Sequence, residues 1–173
     1  MEKKAELQQL EKEIRHHQLV FLYMGSYALR VWYGKRLVGF QPPDIDVLIH
    51  GSTRSLLSLL ASLVQHNWDV KVWGESFSAR WTVAFLRGKW YARIKKGKVI
   101  CDLSFEYPYL DVSQAFQNSV THAEHRMCCM EDLWYLKLLK NPGIAQSFAQ
   151  AYQLAIPEQS VVRWKRWVQE ERW

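Results

Sequence analysis

The chain has 173 residues, 49% hydrophobic and 23% charged, and its 23 Lys and Arg outnumber 17 Asp and Glu for a formal charge of +6. This is the length of one domain with enough apolar material for a core, and with only 8 Gly and 5 Pro it excludes collagen-like and low-complexity classes and disfavours disorder. The excess charge is local, because Arg87, Lys89, Arg93, Lys95, Lys96 and Lys98 share a 12-residue stretch without an acid, and elsewhere 17 bases face 17 acids. A concentrated strip of this kind attracts an anionic partner to one place.

In chain order, residues 5–17 put Leu7, Leu10 and Ile14 on one stripe and predict a short amphipathic helix. This charged start lacks the apolar region of a secretory signal, and the stretch 55–68 is too short and too polar to span a bilayer. Residues 19–24 read as an apolar strand, Gly25-Ser26 as a turn, and residues 27–33 as a helix ended by Gly34. A loop through Gln41-Pro42-Pro43 leads into a strand at 44–49, and Ser52 or Thr53 caps a helix over 54–66. Strands follow at 70–73, 81–86, 90–94 and 99–105, the last two joined as a hairpin that carries the basic strip. Helices over 130–140, 144–154 and 158–172 close the chain. In the last one Val161, Trp164 and Val168 form the packing stripe, with Arg163, Lys165 and Arg166 outside. The expected fold class is α/β, with a core over residues 1–125 and a helical C-terminal extension over 126–173 packed on it as a single domain.

Three features carry chemistry. Asp44 and Asp46 alternate on one strand, so they share a face and repel each other, which a divalent cation relieves. Gly25 and Ser26 sit between strand and helix, where free N–H groups bind phosphate or where Ser26 simply caps the helix. Asp102 lies in the apolar run Val99–Phe105, and such an acid either pairs with a basic neighbour or completes a metal site with the Asp44 strand.

The runs Met24-Gly25-Ser26-Tyr27-Ala28-Leu29, Tyr33-Gly34-Lys35-Arg36 and Asp44-Ile45-Asp46-Val47-Leu48-Ile49 resemble the nucleotidyltransferase signature of the DNA polymerase β superfamily. The pattern is similar to lincosamide nucleotidyltransferases and to abortive-infection type IV toxin nucleotidyltransferases, over about residues 21–105. The resemblance implies a small mixed sheet flanked by helices and a Mg²⁺-dependent transfer of a nucleoside monophosphate from an NTP to an acceptor hydroxyl. By the same resemblance Gly25 and Ser26 hold the phosphates, and Asp44, Asp46 and Asp102 are the catalytic acids that coordinate two Mg²⁺ ions. Asp102 also accepts the hydroxyl proton. Asp132-Leu133-Trp134-Tyr135-Leu136-Lys137-Leu138 is similar to the family's E-D-L-x-x-x-K helix, which implies that Lys137 contacts the triphosphate.

The basic hairpin favours an anionic acceptor such as an RNA end, with Arg93, Lys95, Lys96 and Lys98 as its contacts. Two departures, Met24 in place of a first glycine and the lack of a K-D-x-x-D sequence after the lysine helix, leave other readings open. These are a small-molecule nucleotidyltransferase acting on an antibiotic or metabolite, and a non-catalytic toxin–antitoxin-type protein with a protein partner. His122, His125, Cys128 and Cys129 lack the second C-x-x-C pair of a zinc pattern, and three cysteines fit a reducing cytoplasm rather than a disulfide framework. Trp90 is the indole placed for stacking within the strip.

Overall fold

The computed structural model describes residues 2–89, 91–107 and 109–171. Its first half runs α1 (Glu2–His16), β1 (Val20–Met24), α2 (Gly25–Tyr33), a 3-10 turn (Gly34–Leu37), β2 (Ile45–His50), α3 (Thr53–Gln65), β3 (Asp69–Val72), β4 (Glu75–Ser76) and α4 (Val83–Leu86). The second half runs β5 (Tyr91–Lys96), β6 (Val99–Ser104), α5 (Val112–Gln117), β7 (Val120–His122), β8 (His125–Met127), α6 (Met130–Lys140), α7 (Pro142–Ala151) and α8 (Glu158–Glu170). The strands make one eight-stranded mixed sheet in the order β4-β3-β5-β6-β2-β1-β8-β7, with β2 parallel to β6 and antiparallel to β1. The α/β class expected from the sequence is the class observed.

Register and alternation decide what each face does. Tyr23, Val47, Leu103, Ala92 and Val72 are cross-strand neighbours in one row, and all are buried. This apolar face lies under α1 and α3, with the Tyr23 hydroxyl donating to Glu11 at 2.5 Å and Lys96 donating to Gln9 at 2.8 Å. Leu56, Leu59, Leu60 and Leu63 of α3 are buried in the same core, and the Ser52 side chain accepts from the Ser55 N–H to start that helix. One residue along each strand, Met24, Asp46, Asp102, Arg93 and Lys71 form the next row. Because side chains alternate, this polar row sits on the opposite face, where α2 and α5 pack on β2.

The stretch 81–86, expected as a strand, instead leads through Trp81 and Thr82 into the helical turn α4 at Val83–Leu86. Trp81, just before the helix, stacks on Phe85 with centroids 4.1 Å apart, a contact between residues four apart that an extended strand would separate. Both sides of β3 are already taken by β4 and β5. The β7–β8 hairpin gave no turn signal because its two central residues, Ala123 and Glu124, take positive φ of 48° and 67° without a glycine. β8 (His125–Met127) joins β1 in parallel, Tyr23 opposite Met127.

At the C-terminus α8 packs on α6, its buried Ser160 hydroxyl donating to the Glu131 carbonyl at 2.8 Å. Arg163 turns inward rather than outward, because Asp132 is 3% exposed and needs a counter-charge. The guanidinium donates to Asp132 at 2.6 Å and lies 3.9 Å from the Tyr135 ring. Among the described residues no helix is long and apolar enough to cross a membrane.

Candidate active site

β1 runs straight into α2 with Met24 at the cap position, no side-chain cap and no acid in the first turn. The N–H groups at the start of α2 are thus left for an anion, and the helix dipole favours one. Ser26 lies inside the helix and does not act as its cap. Gly25 has φ of +64°, and a Cβ there would collide with Oδ2 of Asp46. Glycine is required both for the backbone conformation and for the close approach of the turn to the carboxylate.

Asp46 and Asp102 stand in register on the adjacent parallel strands β2 and β6, and Asp44 immediately precedes β2. Arg93, opposite Asp102 on β5, donates from Nε to Oδ1 at 2.8 Å and from Nη2 to Oδ2 at 2.7 Å. Nη2 also reaches Oδ2 of Asp44 at 3.2 Å. Asp102 therefore does pair with a basic neighbour, one of the two alternatives open from the sequence. Burial pushes the Asp46 carboxyl up to about 6, helped by Asp44 and Asp102 and opposed by Lys140 and Arg93. Asp44 and Asp102 thus share one guanidinium, with Asp46 in register beside Asp102.

Hard oxygen donors with uncompensated negative charge suit Mg²⁺ in chemical type. Among the described residues no three His, Cys, Asp or Glu already surround a common point as a metal cage. Arg93 instead engages both oxygens of Asp102 and one of Asp44.

A cleft of about 300 Å³ opens between the Gly25-Ser26 turn, Asp46 and helices α6 and α7. Tyr107, Leu136 and Ile144 give it an apolar wall, and Lys137 and Lys140 give it charge. Burial lowers the Lys137 pKa, Lys140 adds to the effect and Asp46 opposes it. The Lys137 ammonium lies 4.4 Å from the centre of the Phe148 ring. Lys140 and Tyr107 escaped the sequence reading. The three-residue spacing from Lys137 was a usable signal for Lys140, since residues so spaced share a helix face. Tyr107 lies in a loop, and no pattern marked it.

The basic strip is divided among different tasks instead of forming one surface. Arg93 belongs to the acid cluster. Lys96 is on the opposite face of the sheet, where it donates to Gln9 at 2.8 Å and to the His66 carbonyl at 2.9 Å. Lys89 donates to the Phe85 carbonyl at 2.8 Å. Arg87, Lys95 and Lys98 are exposed, and Lys71, missed in the sequence, stands opposite Arg93 on β3. Trp90 lies outside the described residues. Of the residues weighed for zinc, His122 stacks on Trp32 with centroids 4.7 Å apart, Cys128 is buried, and burial pushes the Cys129 thiol up to about 11.

No protein-family model matches the chain, and no curated protein matches it significantly in sequence. Solved structures do. The crystal structure of ANT(2″)-Ia in complex with adenylyl-2″-tobramycin superposes with a TM-score of 0.58 at 14% identity, over 96% of this chain and 99% of that one. A tRNA-processing enzyme in an apo form superposes with a TM-score of 0.52 at 13% identity, over 96% of this chain and 46% of that one. The fold is that of a nucleotidyltransferase. The architecture implied by the resemblance of residues 21–105 to the DNA polymerase β superfamily is thus matched in three dimensions across nearly the whole chain. Within this fold, the Gly25 turn, Asp46 and the α6 lysines line one cleft, and Asp102 stands beside Asp46 on the next strand.

Proposed function

We propose that the chain is an enzyme that transfers a nucleoside monophosphate from an NTP to an acceptor hydroxyl with release of pyrophosphate. The observation that carries this reading is the pairing of Asp46 with Asp102 on parallel strands beneath the uncapped start of α2. The N–H groups of Gly25 and Ser26 bind the triphosphate, and Lys137 and Lys140 neutralise it from the far wall of the cleft. Asp44, Asp46 and Asp102 are the residues that would hold Mg²⁺, which when bound lowers the pKa of the acceptor hydroxyl and offsets triphosphate charge. The acceptor oxygen forms a bond to the α-phosphorus as the bond from that phosphorus to the bridging oxygen breaks. The hydroxyl proton passes to Asp102, and pyrophosphate leaves.

An anionic acceptor fits the side of the sheet on which Lys71 and Lys95 flank Arg93 on strands β3 and β5. An RNA end is the acceptor we favour. A second reading, a small-molecule hydroxyl, is supported by the end-to-end match with ANT(2″)-Ia, whose chain is covered to 99%. The test is incubation with each α-labelled NTP and Mg²⁺ in the presence of RNA oligonucleotides, aminoglycosides or purified proteins. Label on the RNA supports the first acceptor, and label on the aminoglycoside replaces it with the second. Label on neither acceptor nor protein overturns the catalytic reading.

A further inference from the structure

Arg93 is the feature of the site that the proposed reaction leaves unused. Its guanidinium forms a fork on Asp102, with Nε and Nη2 at 2.8 Å and 2.7 Å from the two carboxylate oxygens, and reaches Asp44 at 3.2 Å. A planar fork of this kind satisfies both oxygens of a carboxylate at once. Those oxygens are the ones a divalent cation shared by Asp44, Asp46 and Asp102 would need. Asp46 stands in register beside Asp102 on the adjacent strand.

Arg93 is also free to leave. Its side chain is 54% exposed, against 18% for Asp102 and 26% for Asp44, so the guanidinium can swing to solvent while the acids stay in place. Its neighbours on the same face of β5 are Tyr91 and the exposed Lys95.

We propose that Arg93 is an internal counter-cation that holds Asp102 and Asp44 in the metal-free protein and is displaced when a divalent cation binds. The inference rests on the reading of the three aspartates as the cation site. The site then has two exclusive occupants: a guanidinium that keeps the acids together without metal, and a metal that must break the fork to gain Asp102. Arg93 acts through the carboxylates and is a positioning residue, setting how tightly the cation is held and which acids it reaches.

The experiment uses the full chain without nucleotide. Mn²⁺ binding is measured by electron paramagnetic resonance for the wild type, Arg93→Gln, Arg93→Lys and the Asp44→Asn/Asp46→Asn double variant. In parallel, the Nε–Hε resonance of Arg93 is followed by ¹⁵N NMR during Mg²⁺ addition. Arg93→Gln is expected to bind Mn²⁺ about tenfold or more tightly than the wild type, because a competing cation has gone. Arg93→Lys, a point charge without the fork, is expected to fall between them. The wild-type Nε–Hε signal is expected to move and lose its exchange protection as Mg²⁺ saturates. A purely electrostatic influence at a distance would change affinity but leave that resonance in place.

Three outcomes overturn the proposal, and they are distinguishable. Equal Mn²⁺ affinity in the wild type and both Arg93 variants removes the competition while leaving the cation site intact. An Arg93 signal unchanged at saturating Mg²⁺ removes the displacement. Absence of Mn²⁺ binding in the wild type and in every Arg93 variant removes the cation site itself, and with it the function proposed above. Should Arg93→Gln fail to fold, the Arg93→Lys affinity and the wild-type resonance still decide the question.

Discussion

Arg163 and Arg93 each hold an aspartate, at 2.6 Å and 2.7 Å, and the surroundings of the two carboxylates set them apart. Asp132, with a side chain 5% exposed, faces one guanidinium between two helices, with the Tyr135 ring against the same arginine. Its charge is balanced, and the pair ties α8 to α6. Asp102 shares its arginine with Asp44 and stands in register with Asp46, so one guanidinium is divided between two carboxylates with a third acid alongside. The first pair is complete as it stands and reads as structural. The second crowds three carboxylates around one shared guanidinium, an arrangement that clusters at functional sites.

The largest effect that can break this contrast is on activity. Asp44→Asn combined with Asp46→Asn should lower nucleotide transfer by about 1000-fold or more, since several kcal/mol of metal-dependent stabilisation are lost, while the circular dichroism spectrum stays that of the wild type. Next in size, Arg163→Ala leaves Asp132 buried without its partner and should destabilise the fold by about 3 kcal/mol, seen as a melting temperature lower by roughly 10 °C. Transfer by the surviving folded protein should change little.

Asp46→Asn alone should act in the opposite direction on stability. The Asp46 pKa in the folded, metal-free protein is about 6, above its ordinary 3.8, so its contribution to stability is present in full below about pH 4 and is lost as pH rises through 6. At pH 7 the ionised carboxylate therefore opposes folding, and Asp46→Asn should be more stable than the wild type by roughly 2 kcal/mol. The difference should vanish by about pH 4, as urea midpoints at the two pH values would show. A destabilised Asp46→Asn at pH 7 would place Asp46 with Asp132 as a structural acid. The smallest effect expected is that of Lys137→Ala, about a tenfold loss in NTP affinity by calorimetry, with stability nearly unchanged.

The strands that build the site were legible because their chemistry is local. The alternation of Asp44 and Asp46 with buried Ile45 and Val47, the Gly25-Ser26 turn and the 99–104 strand all carry period-two or turn signals. Three things were not legible for physical reasons. The pairing of Arg93 with Asp102 depends on cross-strand register, which a hairpin sequence sets only to within a residue or two. The division of the basic strip follows from alternation, which sends Lys96 to the α1 face and Arg93 and Lys95 to the other, so a run of charge in sequence became two surfaces in space. The inward turn of Arg163 depends on a buried Asp132 on another helix, and the α8 pattern alone contains no trace of it.

The measurement that bears most directly on the central claim is calorimetric titration of an NTP into the full chain with and without Mg²⁺, for the wild type and the Asp44→Asn/Asp46→Asn double variant. The account predicts saturable binding to the wild type that is strengthened by Mg²⁺, and no such strengthening in the double variant. Binding of equal strength in all four titrations, or none in any of them, would contradict it.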